Sequence, residues 1–158
     1  MRIMFMGTPD FSTPCLEALV KAGHDVVGVV SQPDKPQGRG RKLVPTQVKQ
    51  AAMRLGLPVF QPETLRDGEF ERILSSVDPE LIVVVAYGKI LPGFVLDYPK
   101  YGCINVHASL LPKYRGAGPI QRAIIDGEKV TGVTTMYMSE GLDEGDILLS
   151  RATEIAPD

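Results

Sequence analysis

A chain of 158 residues, 44% hydrophobic and 23% charged, suffices for one globular domain with a sizeable core. A net charge of −2 excludes a polyanion binder that works through overall charge, so any basic site must be local. Two cysteines far apart and two scattered histidines argue against a structural zinc cluster, and the longest aliphatic run, Leu81–Ala86, is too short to span a membrane.

Arg2–Met6 reads as a short apolar strand that ends at Gly7-Thr8-Pro9-Asp10. A helix from about Asp10 to Lys21 follows, with Leu16, Leu19 and Val20 at core spacing and Gly23 as its stop. Asp25–Val30 (DVVGVV) is a second strand, and these three elements form a βαβ unit with parallel strands. Ser31–Leu43 (SQPDKPQGRGRKL) has two prolines, two glycines and no periodic apolar face, and is expected to be an exposed loop. A helix is predicted over Pro45–Leu55, a short strand over Pro58–Gln61 and a charged helix over Asp67–Ser76. Leu81–Ala86 (LIVVVA) is an apolar run rich in β-branched residues, as in a strand covered on both faces. A short helix at Ile90–Leu96, a strand at Gly102–Ala108 and a helix at Pro119–Asp126 come next. Gly132–Met138 and Ile147–Ile155 then form an antiparallel pair joined by SEGLDEGD. Alternating strands and helices give an α/β fold, an open, mostly parallel twisted sheet with helices on both faces. Sites in such sheets lie beyond the carboxyl ends of the strands.

Three constellations there can carry chemistry. Asn105 and His107 are two apart on a strand, hence on one face and about 6–7 Å apart at Cα. A histidine can take the proton an attacking amine must lose, and an amide can donate to a carbonyl oxygen as it gains charge, so acyl or formyl transfer is the matching reaction class. An isolated N-x-H is far more often a satisfied histidine at a strand end; the surrounding residues have to overturn that. In Gly141-Leu142-Asp143-Glu144-Gly145-Asp146, an acid between glycines could orient the imidazole and stabilise its cation, but spacing does not choose among Asp143, Glu144 and Asp146. Lys35, Arg39, Arg41 and Lys42 crowd the 31–43 segment against one acid, Asp34, and can grip phosphates. The Gly7-Thr8-Pro9 turn is not G-x-G-x-x-G, and no Walker motif is present, so the α/β pattern does not by itself imply a nucleotide. Cys15 and Cys103 are read as reduced thiols, Cys103 as plain packing facing away from Asn105. The start, MRIMFMGTPDF, lacks a long apolar stretch with a cleavage site, so a cytoplasmic protein is expected.

The motifs MGTPDF (6–11), QPDKPQGRGRKL (32–43), VAYGKILP (85–92), NVHASLLPKYRGAGPIQRAI (105–124), TGVTTMYM (131–138) and GLDEGDIL (141–148) appear in order along the chain. With them the sequence resembles the 10-formyltetrahydrofolate-dependent formyltransferase family, in its Rossmann-like fold. MGTPDF and the basic segment narrow the likeness to the branch that formylates initiator methionyl-tRNA. The resemblance implies catalytic roles for Asn105, His107 and Asp143, the last through the L-D-x-G context. It implies donor contacts, largely by backbone, from Ala86, Tyr87, Gly88, Ile90 and Leu91 and from Ser139, Glu140, Gly141 and Leu142. It places Lys35, Arg39, Arg41 and Lys42 near the acceptor end of the tRNA. The SLLPKYRG signature supplies Ser109, Leu110, Leu111, Pro112, Tyr114, Arg115 and Gly116. No metal is expected, since a deprotonated amine is already a competent nucleophile. The family's tRNA enzymes are about twice this length and act as monomers. The likeness therefore implies a catalytic domain over 1–158, cut short at its C-terminal end and lacking their C-terminal β-barrel. Glycinamide ribonucleotide and nucleotide-sugar formyltransferases, 10-formyltetrahydrofolate hydrolases and a non-catalytic RNA- or folate-binding fragment are the competing readings.

Overall fold

In the computed structural model the chain is described at residues 1–40, 42–107, 130–138 and 147–154. Its centre is a run of parallel strands: β1 (Arg2–Gly7), β2 (Asp25–Val30), β5 (Val59–Phe60), β6 (Leu81–Val85) and β7 (Cys103–His107). Two further strands, β8 (Val130–Tyr137) and β9 (Ile147–Glu154), extend the sheet past β7 to give the order β5-β2-β1-β6-β7-β8-β9. β8 is antiparallel to both β7 and β9, whereas the pairs among the first five strands are parallel.

Helices cover both faces, and strand alternation decides which side chain meets which helix. Ile3 and Phe5 of β1, with Val83 and Val85 of β6, pack on α1 (Thr13–Lys21) and α2 (Gln47–Arg54) through Leu16, Val48, Ala51 and Ala52. Met4, Met6, Ile82 and Val84 point the other way, onto Phe70 and Leu74 of α3 (Glu69–Val77) and Val95 of α4 (Gly93–Asp97). β6 is hydrophobic at every position because both its faces are covered. Burying each such aliphatic side chain contributes about 1.5–3 kcal/mol.

The first helix is shorter than its apolar spacing suggests. Asp10–Ser12 is a 3-10 turn, and the α-helix begins at Thr13 with Pro14 in its first turn, where no backbone donor is needed. Thr46 caps α2 by accepting from Lys49 N at 3.1 Å.

The 31–43 segment is not a plain loop. It folds into a ribbon of β3 (Lys35–Gln37) and β4 (Lys42–Val44), paired antiparallel with Pro36 opposite Leu43. Gly38, at φ +73°, opens its turn. The strands were hidden in the sequence because the ribbon forms a sheet of its own and buries no face; Leu43 is 66% exposed. A second correction concerns Cys103. It is buried, but it shares a face with Asn105: it pairs with Ile82 as Asn105 pairs with Val84, and residues two apart on a strand point the same way. Burial pushes its thiol up to about 12, with Asp97 adding to the effect. The helix expected at 119–126 lies outside the described residues.

Candidate active site

The carboxyl ends of β1, β2, β6 and β7 lie side by side, and the chain leaves them at Thr8, Ser31, Ala86 and beyond His107. The 86–88 turn has an unusual backbone: Ala86 is at φ +52° and Gly88 at φ +100°. A non-glycine residue in this region costs on the order of 1 kcal/mol and persists only where the surroundings fix it. Three side chains do so. Ser12 Oγ donates to Val85 O at 2.5 Å, Thr8 Oγ1 to Tyr87 O at 2.7 Å, and Gln32 Nε2 to Tyr87 O at 3.3 Å. The approach is close: a Cβ on Gly7 would lie 2.8 Å from Val85 O, and one on Gly88 2.9 Å from Gln32 Nε2.

Tyr87 and Leu91 are 2% and 4% exposed and belong to the core on the α3/α4 side. Their side chains are therefore committed to packing, Lys89 Nζ donates to the carbonyls of Pro62 and Glu63, and Ala86, Gly88 and Ile90 are exposed. Tyr87 Oη has no hydrogen-bond partner among the described residues, and burial pushes the phenol up to about 12.

Asn105 and His107 occupy alternate positions at the end of β7. Asn105 is half-buried and pairs with Val84 on one side and Met136 on the other, so its strand is bonded on both edges. His107 ends the strand opposite Thr134. Asp143, the 139–142 segment, the 109–116 signature and Arg41 lie outside the described residues. Of the basic group, Lys35 sits opposite Val44 and Lys42 opposite Gln37 on the ribbon, and Arg39 lies in its turn, all three exposed.

Sequence reasoning missed the side chains that hold the site's frame. Thr8 and Ser12 lie in the MGTPDF segment and Gln32 opens the QPD segment, but their partners are 55 to 79 residues away, so no local spacing reveals them. Lys49 and Gln61 were also overlooked. Both grip Asp34, Lys49 Nζ at 3.2 Å from each carboxylate oxygen and Gln61 Nε2 at 2.7 Å from Oδ1. The Gln61 hydrogen bond, helped by Lys49, holds the Asp34 carboxyl below the usual carboxylate range. Among the described residues no cluster of three His, Cys, Asp or Glu could hold a metal, and no helix is long and apolar enough to cross a membrane.

The profile of the family described as formyl transferase matches residues 1–158. A methionyl-tRNA formyltransferase of Pelotomaculum thermopropionicum is 62% identical over 155 residues, 98% of this chain and 50% of its own length. One from Heliobacterium modesticaldum is 62% identical over 158 residues, 100% of this chain and 50% of its own length. The chain thus spans about half the length of the curated relatives it matches. Among solved structures, the phosphoribosylglycinamide formyltransferase of Anaplasma phagocytophilum is similar with a TM-score of 0.79 and 26% identity, over 100% of this chain and 74% of its own.

Proposed function

The chain belongs to the formyl transferase family, and from that premise we propose that it is the catalytic part of an enzyme that formylates the α-amine of methionyl initiator tRNA. The donor is 10-formyltetrahydrofolate. The observation that carries this reading is the 62% identity, along nearly all of the chain, with proteins that bear that activity in their name.

The proposed chemistry follows from the residues. As the amine nitrogen bonds to the formyl carbon, His107 accepts the proton the amine loses. Asn105 donates to the carbonyl oxygen as it becomes an oxyanion. His107 then passes the proton to the departing tetrahydrofolate nitrogen as the bond from that nitrogen to the formyl carbon breaks. Asp143 orients the imidazole and sustains its cation. The 86–91 backbone and the 139–142 segment hold the donor. Lys35, Arg39, Arg41 and Lys42 hold the phosphates of the tRNA acceptor arm. The protein acts as a cytoplasmic monomer.

The test is transfer of labelled formyl from 10-formyltetrahydrofolate to four acceptors in parallel: methionyl-tRNA, glycinamide ribonucleotide, an amino nucleotide-sugar and water. We expect label on methionyl-tRNA. Preferential labelling of another acceptor would overturn the assignment, and donor binding without any transfer would leave a binding fragment.

A further inference from the structure

The basic ribbon bonds only to itself among the described residues. A lone two-stranded ribbon is marginal in water, so the place where its cations stand is decided at its root. That root is a polar knot drawn from four segments. Asp34 directly precedes β3, and its carboxylate takes both Lys49 Nζ and Gln61 Nε2. Gln61 Nε2 also donates to Gln32 O at 3.1 Å, and Gln32 in turn donates to Tyr87 O in the strained turn after β6. Where the chain leaves the ribbon, Thr46 Oγ1, the cap of the helix that carries Lys49, lies 2.6 Å from Ser31 Oγ. The knot therefore ties the ribbon both to α2 and to the edge of the candidate active site.

Charge alone does not explain Asp34. It is the one acid in a segment with four cations, and it subtracts from the field that would draw a polyanion. It also occupies Lys49, whose side chain is only 22% exposed. Both effects weaken phosphate attraction; the compensating gain is a fixed root.

We propose that Asp34, gripped by Lys49 and Gln61, is a positioning residue for the acceptor substrate: it sets the ribbon so that Lys35, Arg39 and Lys42 meet phosphates at a fixed reach from the end of β7. The inference rests on the formyl-transfer reading and deepens it. It has a sign that pure electrostatics does not share. If the ribbon acts only by charge, Asp34→Asn tightens tRNA binding. If the knot positions the ribbon, the same change weakens it.

The experiment measures KM for methionyl-tRNA, kcat, donor affinity and melting midpoint for the intact protein and for Asp34→Asn, Lys49→Met and Lys49→Arg. We expect Asp34→Asn to raise the tRNA KM about tenfold, the size of one charge-assisted contact, with kcat and donor affinity nearly unchanged. Lys49→Met should match it, and Lys49→Arg, which keeps the cation and its reach, should stay close to wild type. The salt dependence of the tRNA KM should keep its slope in Asp34→Asn, because no phosphate contact is lost, whereas Lys42→Ala should reduce that slope by about one. A lower or unchanged KM in Asp34→Asn overturns the proposal. If Asp34→Asn melts too early to assay, Lys49→Met decides, and a fall in its salt slope would make Lys49 a phosphate contact and sink the positioning role. A wild-type protein that formylates another acceptor and no tRNA overturns the functional reading itself, a result separable from these.

Discussion

The two ends of the parallel strands are closed by different physics. At the amino end the side-chain contacts centre on charged groups mostly open to water. Arg2 reaches Asp78 at 3.5 Å and Glu80 at 3.7 Å, with the Arg2 and Asp78 side chains 46% and 65% exposed. Such pairs are screened and loosely held. At the carboxyl end the contacts are neutral, and buried at Ser12: hydroxyls of Thr8 and Ser12 on the carbonyls of Tyr87 and Val85. A buried donor or acceptor left without its partner costs about 1–3 kcal/mol, so this end resists rearrangement. The difference teaches where the fold needs accuracy. The carboxyl end holds a turn with two left-handed residues, Ala86 and Gly88, beside the end of β7, its backbone braced by three side chains, whereas the left-handed Asp78 at the amino end is held by the exposed Arg2 and by Tyr98.

The contrast can be broken most strongly at Gly7. In Gly7→Ala the new methyl would meet Val85 O at 2.8 Å and Ser12 Cβ at 3.1 Å, which forces β1 and β6 apart where the turn begins. We expect a loss of about 2–3 kcal/mol in denaturant unfolding, with donor affinity falling in step. Ser12→Ala should cost about 1–2 kcal/mol, since it leaves Val85 O without that donor. Calorimetry that found no change in Ser12→Ala would remove the bracing argument. Tyr87→Phe sharpens the comparison from the other side. It deletes a buried hydroxyl without a partner among the described residues, and we expect stability unchanged or raised by up to about 1 kcal/mol.

The amino end should give the smallest response. Arg2→Ala should leave the melting midpoint within about 2 °C of wild type. Its pH dependence has a definite sign. The Arg2 backbone N–H holds the Glu80 carboxyl below its ordinary value, so the contribution is present above the unfolded carboxyl range near pH 4 and is lost as pH falls through the lower folded value. Melting curves of Glu80→Gln and wild type should therefore differ slightly at pH 7 and converge in acid.

Much of the sheet was legible in the sequence because its strands are buried. LIVVV had to be a strand covered on both faces, and DVVGVV between Gly23 and a polar stretch had to end a βαβ unit. What could not be read has a common physical cause. The ribbon buries no face, so its strands show no alternation. The 3-10 turn at Asp10–Ser12 differs from helix by one hydrogen-bond step. The groups that brace the site, Thr8, Ser12, Gln32 and Gln61, act through contacts 27 to 79 residues apart in sequence. Asn105 and His107 were legible as a pair because the strand period places them on one face. Asp143 was selected by likeness to a family, since three acids share its loop.

In the proposed reaction Asn105 and His107 act on one formyl group at the end of β7. Single-turnover transfer from 10-formyltetrahydrofolate by Asn105→Ala and His107→Ala, with donor affinity measured on the same samples, tests it most directly. We expect each to lose about 10²–10³ in rate while donor affinity is kept. Wild-type rates in either variant, or rates that fall only as far as donor affinity falls, would contradict it.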